Sequence, residues 1–134
     1  MQIKILVKCP VCGESIMQAA PAIDELPNIH LLAKIQDKLG HLYLSQIYGS
    51  YSKIFDGVDD VPDSIVECSC PRCFEPFPIK GECECKAPIV LLGLQVGGSI
   101  KVCSRNGCKH HSLEFEDINS AFSLFKSQDR TGLI

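Results

Sequence analysis

Nine cysteines are the residues of this 134-residue chain whose type and spacing indicate chemistry. They fall into four groups, which are Cys9/Cys12, Cys68/Cys70/Cys73, Cys83/Cys85 and Cys103/Cys108. The first residues alternate as a half-buried strand does and do not resemble a secretion signal, so we expect a cytoplasmic protein. Disulfides do not persist in that reducing compartment, and an odd number of cysteines fits a disulfide framework poorly. The cysteines are therefore predicted to bind metal.

Two Cys-x-x-Cys motifs give the strongest signal for one metal site. In Cys9-Pro10-Val11-Cys12-Gly13 and Cys70-Pro71-Arg72-Cys73, each tight turn holds two sulfurs, and its backbone N–H groups can point at their negative charge. Proline stiffens each turn, and Gly13 can supply the positive φ that follows the second cysteine. We predict that the first ion is held by Cys9, Cys12, Cys70 and Cys73.

A second site is predicted from the remaining pairs, which have less usual spacings. One residue separates the first pair and four separate the second, but a hairpin between the pairs would bring all four sulfurs to one end. The predicted ligands are Cys83, Cys85, Cys103 and Cys108. Two alternatives stay open: His110 or His111 is a ligand, or Cys68 replaces Cys70 or Cys83.

Cys68 is the cysteine left over, and two interpretations apply to it. In the first, it is a half-buried thiol beside the first site. In the second, the dense run from Cys68 to Cys73 is part of an iron–sulfur nest, since such clusters use cysteine-rich runs. Two well-separated pairs for each site suit a single ion better, which favours the first interpretation.

The Cys9–Gly13 and Cys70–Cys73 motifs, and less closely the 83–108 segment, resemble the zinc-ribbon and rubredoxin-like superfamily. The resemblance covers about half of the chain and implies short antiparallel hairpins around bound zinc or iron. Three residues depart from the pattern, because Phe74, Lys86 and Lys109 stand where the family often has glycine. Two unlike sites in a chain without tryptophan favour two Zn²⁺ ions, with iron as the alternative.

The elements that must position these cysteines are mainly short strands. Alternation and turn residues predict a strand at 3–7, a hairpin over 29–47, an acidic loop at 48–63 and a hairpin over 89–102. Residues 112–115 are expected to form a closing strand. Asp117 is expected to cap a helix over 118–126, where apolar residues recur at helical spacing.

The predicted fold class is mainly β, a small α+β protein with two zinc-ribbon or rubredoxin-like modules. The first module is expected over 1–80 with an inserted hairpin and the acidic loop. The second is expected over 81–126 with the C-terminal helix, followed by a flexible tail at 127–134.

Composition narrows the function. The net charge is −3 and no Lys/Arg-rich run is present, so nucleic-acid binding is disfavoured and kept only as an alternative. No apolar run reaches the ~18 residues of a membrane span. The sequence contains no phosphate-binding glycine loop, no metalloprotease motif and no serine-nucleophile motif, so neither a catalytic residue nor a small-molecule substrate is predicted.

The expected function is that of a non-catalytic zinc protein, an accessory or adaptor subunit of a larger cytoplasmic assembly. A rubredoxin-like one-electron carrier with iron in a four-cysteine site is the first alternative. Aromatic residues concentrate between 41 and 55, and they are common at protein interfaces. The predicted partner surface consists of Tyr43, Tyr48, Tyr51 and Phe55.

Overall fold

This computed structural model describes residues 3–114 of the chain, and their regular secondary structure consists of strands alone. Ten strands follow one another along these residues. They are β1 (Val7–Lys8), β2 (Met17–Ile23), β3 (Leu26–Ile35), β4 (Lys38–Leu44), β5 (Lys53–Asp56), β6 (Glu67–Ser69), β7 (Ile79–Glu82), β8 (Pro88–Leu94), β9 (Ser99–Cys103) and β10 (His111–Glu114).

The strands form two antiparallel sheets of five that share one plan. The first sheet has the order β2-β3-β4-β5, and β6 also pairs with β3. The second has the order β1-β8-β9-β10, and β7 also pairs with β8. In each sheet, two strands pair one after the other with the same edge of a central strand. One of the two comes from the other half of the chain, since β1 joins β8 and β6 joins β3.

The hydrophobic core follows from alternation along the central strands. In β3, the side chains of Ile29, Leu31, Ala33 and Ile35 are buried, and the residues between them are more exposed. Val90, Leu92 and Leu94 repeat the pattern in β8. Successive side chains of a strand point to opposite faces, so each sheet turns one apolar face to the core. Both apolar faces contribute to a single hydrophobic cluster.

Both predicted hairpins are present. The β3–β4 turn lies at Gln36 and Asp37, which adopt positive φ values of 50° and 67°, as a two-residue hairpin turn requires. This turn comes slightly before the predicted one. The β8–β9 turn uses Gly97 and Gly98, with φ values of 110° and 97°, where glycine avoids the steric cost.

The α+β class was wrong, because residues 3–114 form two antiparallel sheets and contain no helix. The helix predicted over 118–126 falls outside the described residues. The predicted acidic loop at 48–63 contains β5, and β2 and β7 were not predicted at all. β2 and β7 are largely exposed and lack clean alternation, so their sequences carry little strand signal. The module boundary near residue 80 stays a prediction.

The described residues also contain no helix long and apolar enough to cross a membrane.

Gly40 lies where β4 meets the end of β5 at very close range. A Cβ at Gly40 would stand about 3.0 Å from Gly57 C and Val58 Cγ1, and closer still to the backbone oxygen of Asp56. We therefore expect Gly40→Ala to lower the free energy of unfolding by about 3 kcal/mol.

Gly81 provides the control. At Gly81, a Cβ meets nothing within 4 Å, but φ is +93°. Gly81→Ala should cost only about 1 kcal/mol, and equal losses in urea titrations would contradict this explanation.

Candidate metal centres

Centre one consists of the sulfurs of Cys9, Cys12, Cys70 and Cys73, which all lie within 4.8 Å of one another. The Cys9–Cys73 and Cys12–Cys70 sulfur pairs are each 3.9 Å apart. A tetrahedral ion with metal–sulfur bonds of about 2.3 Å requires sulfur–sulfur separations of about 3.8 Å. The donor set therefore fits one four-coordinate zinc or iron ion.

Centre one lies where the chain passes between the two sheets. The first turn connects β1 of the second sheet to β2 of the first, and the second turn connects β6 of the first sheet to β7 of the second. Cys9 and Cys70 are buried, and Cys12 is exposed. An ion bound here would link both crossings, so that it would tie the two sheets together.

Backbone N–H groups point at the sulfur of the first, buried cysteine of each turn (the inner sulfur), as the sequence predicts. The N atoms of Val11 and Cys12 lie 3.3 and 3.4 Å from Cys9 Sγ. In the second turn, the corresponding distances to Cys70 Sγ are 3.2 and 3.4 Å. Burial opposes ionisation of the Cys70 thiol, but the two N–H groups that point at it, together with hydrogen bonds from the Cys73 and Cys9 thiols, lower its pKa. For Cys9, burial dominates and raises the pKa.

The residue after each turn adopts the left-handed conformation. Gly13 has a φ of 79°, and Phe74, at the equivalent place, has a φ of 64° despite its side chain. Lys86, after the first pair of the second centre, has a φ of 73°. The missing glycines therefore leave the turn geometry intact at Phe74 and Lys86, at a steric cost of roughly 1–2 kcal/mol each.

Centre two consists of the sulfurs of Cys83, Cys85, Cys103 and Cys108, again within 4.8 Å of one another. The Cys83–Cys108 sulfur pair is 3.8 Å apart and the Cys85–Cys103 pair 3.3 Å. The first pair lies in and beside the β7–β8 turn, and the second at the end of β9 and in the loop that follows. Since β8 and β9 are antiparallel, the hairpin brings both pairs to one end of the sheet.

His110 lies beside centre two. Its Nδ1 atom is 3.3 Å from Cys83 Sγ and 3.0 Å from Cys108 Sγ. The hydrogen bond to the Cys108 sulfur and its negative charge raise the pKa of this imidazole. The structure thus brings His110 to the ligands. The backbone of His111 begins β10.

Arg105 is a residue of centre two that the sequence analysis missed. Its Nη1 donates to the carbonyl of Asp63 at 2.8 Å, and its Nη2 donates to the carbonyl of Cys85 at 3.1 Å. The backbone N–H of Ala87, followed by the Arg105 guanidinium, lowers the pKa of Cys85 to about 6. Its position in the sequence could have indicated this role, because Arg105 is the cation between the two cysteines of the last pair.

Cys68 belongs to neither group of four. It lies in β6, is half-buried and packs against the hydrophobic cluster, with Sγ 3.8 Å from the carbonyl of Val66. Burial raises the pKa of its thiol to about 12. Its side chain also lines an apolar cavity of about 390 Å³ between the sheets. These surroundings suit a neutral thiol and not a metal ligand.

The aromatic residues of the predicted partner surface have different environments. Tyr43 is buried, and Tyr48 and Phe55 pack half-buried against the core. Tyr51 is 42% exposed, and its hydroxyl donates to the carbonyl of Lys109 at 2.9 Å. The Lys109 ammonium lies 5.3 Å from the centre of the Tyr51 ring. Tyr51 thus connects this segment to the loop of centre two, and its role in binding a partner stays a prediction.

Comparison with known proteins gives no family assignment. No protein-family model, curated protein or solved structure matches the chain. The two groups of four cysteines are consistent with zinc-ribbon-like modules, and their geometry is compatible with metal binding. Any conclusion about function therefore depends on the geometry of the centres themselves.

Removing one ligand from either centre should release its ion. We expect Cys12→Ser and Cys108→Ser each to lower the bound metal from two ions per chain to one, because three thiolates hold an ion less tightly than four. Cys68→Ser is the matched control and should keep both ions, since Cys68 lies outside both groups. Elemental analysis after gel filtration measures the ratio, and unchanged metal in either ligand variant would contradict the assignment.

Cys68 should also be chemically inert in the folded protein. A pKa raised from 9.0 to about 12 lowers the thiolate fraction at pH 8 by about a thousandfold, and the thiolate is the species that reacts. Iodoacetamide labelling followed by mass spectrometry should leave Cys68 unmodified in native protein and modify it in urea. Rapid labelling of native Cys68 would contradict its assigned environment.

Proposed function

We propose that the protein is a non-catalytic metalloprotein that binds one zinc ion in each centre and serves as an accessory or adaptor subunit of a larger cytoplasmic assembly. The observation that carries this proposal is the closed donor set of each centre. Four cysteine sulfurs converge at each place, and four thiolates fill a tetrahedral coordination sphere. A catalytic zinc site keeps one position open for water or substrate, so these sets favour a structural role.

The placement of the centres supports a structural role as well. β1 contains two residues and β6 three, so few backbone hydrogen bonds hold these crossing strands to the central strands. Strands this short add little stability by themselves. Metal binding adds folding free energy directly, on the order of 10 kcal/mol in small zinc domains. Zinc in centre one would supply the link between sheets that the short strands cannot provide.

Exposed apolar residues around centre one support a protein partner. Val11 lies on the first turn and is 53% exposed, and Phe74 follows the second turn and is 71% exposed. Both turns contribute sulfurs to centre one, so both side chains lie near it. Phe74 also retains a large apolar side chain in a left-handed position that would suit glycine better. Large exposed apolar side chains placed near one another favour a protein interface.

A one-electron carrier is the second candidate, and centre one supplies the observation in its favour. Cys12 is exposed, so an iron ion here would lie near the surface. Four N–H groups also point at the inner sulfurs, and such hydrogen bonds adjust the potential of iron–thiolate sites. The two candidates differ in their metal and therefore in colour.

Metal analysis of protein purified without added metal distinguishes the two candidates. We expect two zinc ions per chain and no visible absorption, since zinc has a filled d shell. Iron in centre one, with thiolate-to-iron absorption in the visible range, would replace the structural proposal with the electron carrier. Protein that folds fully without any metal would contradict both.

The adaptor role is tested by capturing partners from the native host. We expect Val11→Ser/Phe74→Ser to lose a captured protein that the wild type retains, while both bound ions remain. Leu39→Ser is the matched control, because Leu39 is 69% exposed on the β3–β4 hairpin. Equal capture by all three proteins would contradict a partner surface at centre one.

A further inference from the structure

The two halves of the chain repeat the same turn at a constant separation. The N–H of Cys9 donates to the carbonyl of Glu14 at 2.9 Å, and the N–H of Cys70 donates to the carbonyl of Glu75 at 3.0 Å. Residues 9 and 70, like residues 14 and 75, are 61 positions apart. Strand pairing follows the same separation, because the pairing of β1 with β8 and that of β6 with β3 correspond residue by residue.

The loop after β4 and the loop after β9 also match, now at a separation of 58 positions because the β8–β9 hairpin as a whole is three residues shorter than the β3–β4 hairpin. Each loop has two equivalent backbone hydrogen bonds and one equivalent left-handed glycine. The N–H of Ser45 donates to the carbonyl of Ser52 at 3.2 Å, as the N–H of Cys103 does to the carbonyl of His110 at 3.1 Å. The N–H of Ser50 donates to the carbonyl of Ile47 at 3.0 Å, as the N–H of Cys108 does to the carbonyl of Arg105 at 3.0 Å. The equivalent glycines are Gly49, with a φ of 93°, and Gly107, with a φ of 95°.

Side chains confirm the alignment of these loops with the central strands. Gln46 Nε2 donates to the carbonyl of Pro27 at 3.0 Å, and Ser104 Oγ donates to the carbonyl of Pro88 at 2.6 Å. Both donors are buried, and both acceptors are prolines at the start of a central strand. The second half, which contains centre two, thus has counterparts in the first half for its Cys-x-x-Cys turn, its central strand and the loop after β9.

The counterparts of three centre-two cysteines meet one another in the first half. At the separations above, Cys85, Cys103 and Cys108 correspond to Asp24, Ser45 and Ser50. Ser45 Oγ donates to Asp24 Oδ2 at 2.6 Å, and Ser50 Oγ donates to the same oxygen at 2.7 Å. These hydroxyl hydrogen bonds hold the pKa of the Asp24 carboxyl below its usual value. The residue types differ, but the three positions converge in both halves.

Two further positions complete the comparison. Ser52 corresponds to His110, and its hydroxyl also contacts the Asp24 carboxylate. Cys83 corresponds to the Ala22–Ile23 region, where the turn of the first half pairs Ile23 directly with Leu26 and is therefore built differently. The first half thus shares three of the four ligand positions of centre two and the position of His110, and it carries oxygen atoms there in place of sulfur and nitrogen.

We propose that the chain is an internal duplication in which the first half holds a third position equivalent to a metal centre, where hydrogen bonds from serine hydroxyls to the Asp24 carboxylate take the place of the ion. In centre two, the ion would join the β7–β8 turn to the loop over 103–110. In the first half, Asp24 joins the β2–β3 turn to the loop over 45–52 through hydrogen bonds alone. This inference rests on the proposed function, because it requires that centre two binds metal. Metal analysis of the wild-type protein tests that requirement separately.

Restoring soft donors tests this proposal. The variant Asp24→Cys/Ser45→Cys/Ser50→Cys/Ser52→His supplies three thiolates and an imidazole, a set that zinc sites commonly use. We expect it to bind three Co²⁺ ions per chain where the wild type binds two, with about 40% more cobalt–thiolate absorption, because eleven thiolates bind cobalt where eight did. Asp24→Cys alone is the control and should bind two. Two ions in the folded fourfold variant would overturn the proposal, whereas none at centre two of the wild type would overturn the proposed function.

A reciprocal exchange decides the question if the fourfold variant does not fold. Cys85→Asp/Cys103→Ser/Cys108→Ser/His110→Ser gives the second half the residues of the first. We expect this variant to bind one ion and to keep the amides of residues 103–110 protected in hydrogen exchange. The same four positions changed to alanine should exchange at least about tenfold faster. Equal exchange in the two variants, or failure of the first to fold, would overturn the proposal.

Discussion

The convergence of four sulfurs from two turns at the sheet crossings is the constraint on which the rest of this fold depends. Each turn lies between a strand of one sheet and a strand of the other, so that an ion bound in centre one would fix the path of the chain at both crossings. β1 and β6 are too short to secure the crossings by hydrogen bonds alone. Apolar packing fills the space between the sheets, and the sulfur positions determine how the sheets are joined.

Much of the same framework occurs twice along the chain, with different chemistry at equivalent positions. Centre two brings together four cysteine sulfurs, which could be joined by a bound ion. The Asp24 cluster places one carboxylate against serine hydroxyls, which satisfy its charge without an ion. A turn and a loop can therefore be joined by a metal or by charge-assisted hydrogen bonds on one backbone. The second solution does not depend on metal supply.

Local sequence patterns predicted the parts that depend on local geometry. The Cys-x-x-Cys turns, their N–H contacts to sulfur and the Gly97–Gly98 hairpin follow from short-range rules, and the structure contains all of them. β2 and β7 could not be predicted, because exposed edge strands need no apolar alternation. β1 pairs with β8 and β6 pairs with β3, each with a strand that is distant in the sequence. No local sequence pattern predicts such pairings. Asp24 was missed for a similar reason, since its partners are 21 and 26 positions away.

X-ray absorption at the zinc edge tests the central claim most directly. The account predicts two zinc ions per chain, each surrounded by four ligands that are sulfurs at about 2.3 Å. A single imidazole nitrogen in the average would indicate that His110 displaces one thiolate in centre two. A first shell dominated by oxygen or nitrogen, or cysteines found joined as disulfides in the native protein, would contradict the account.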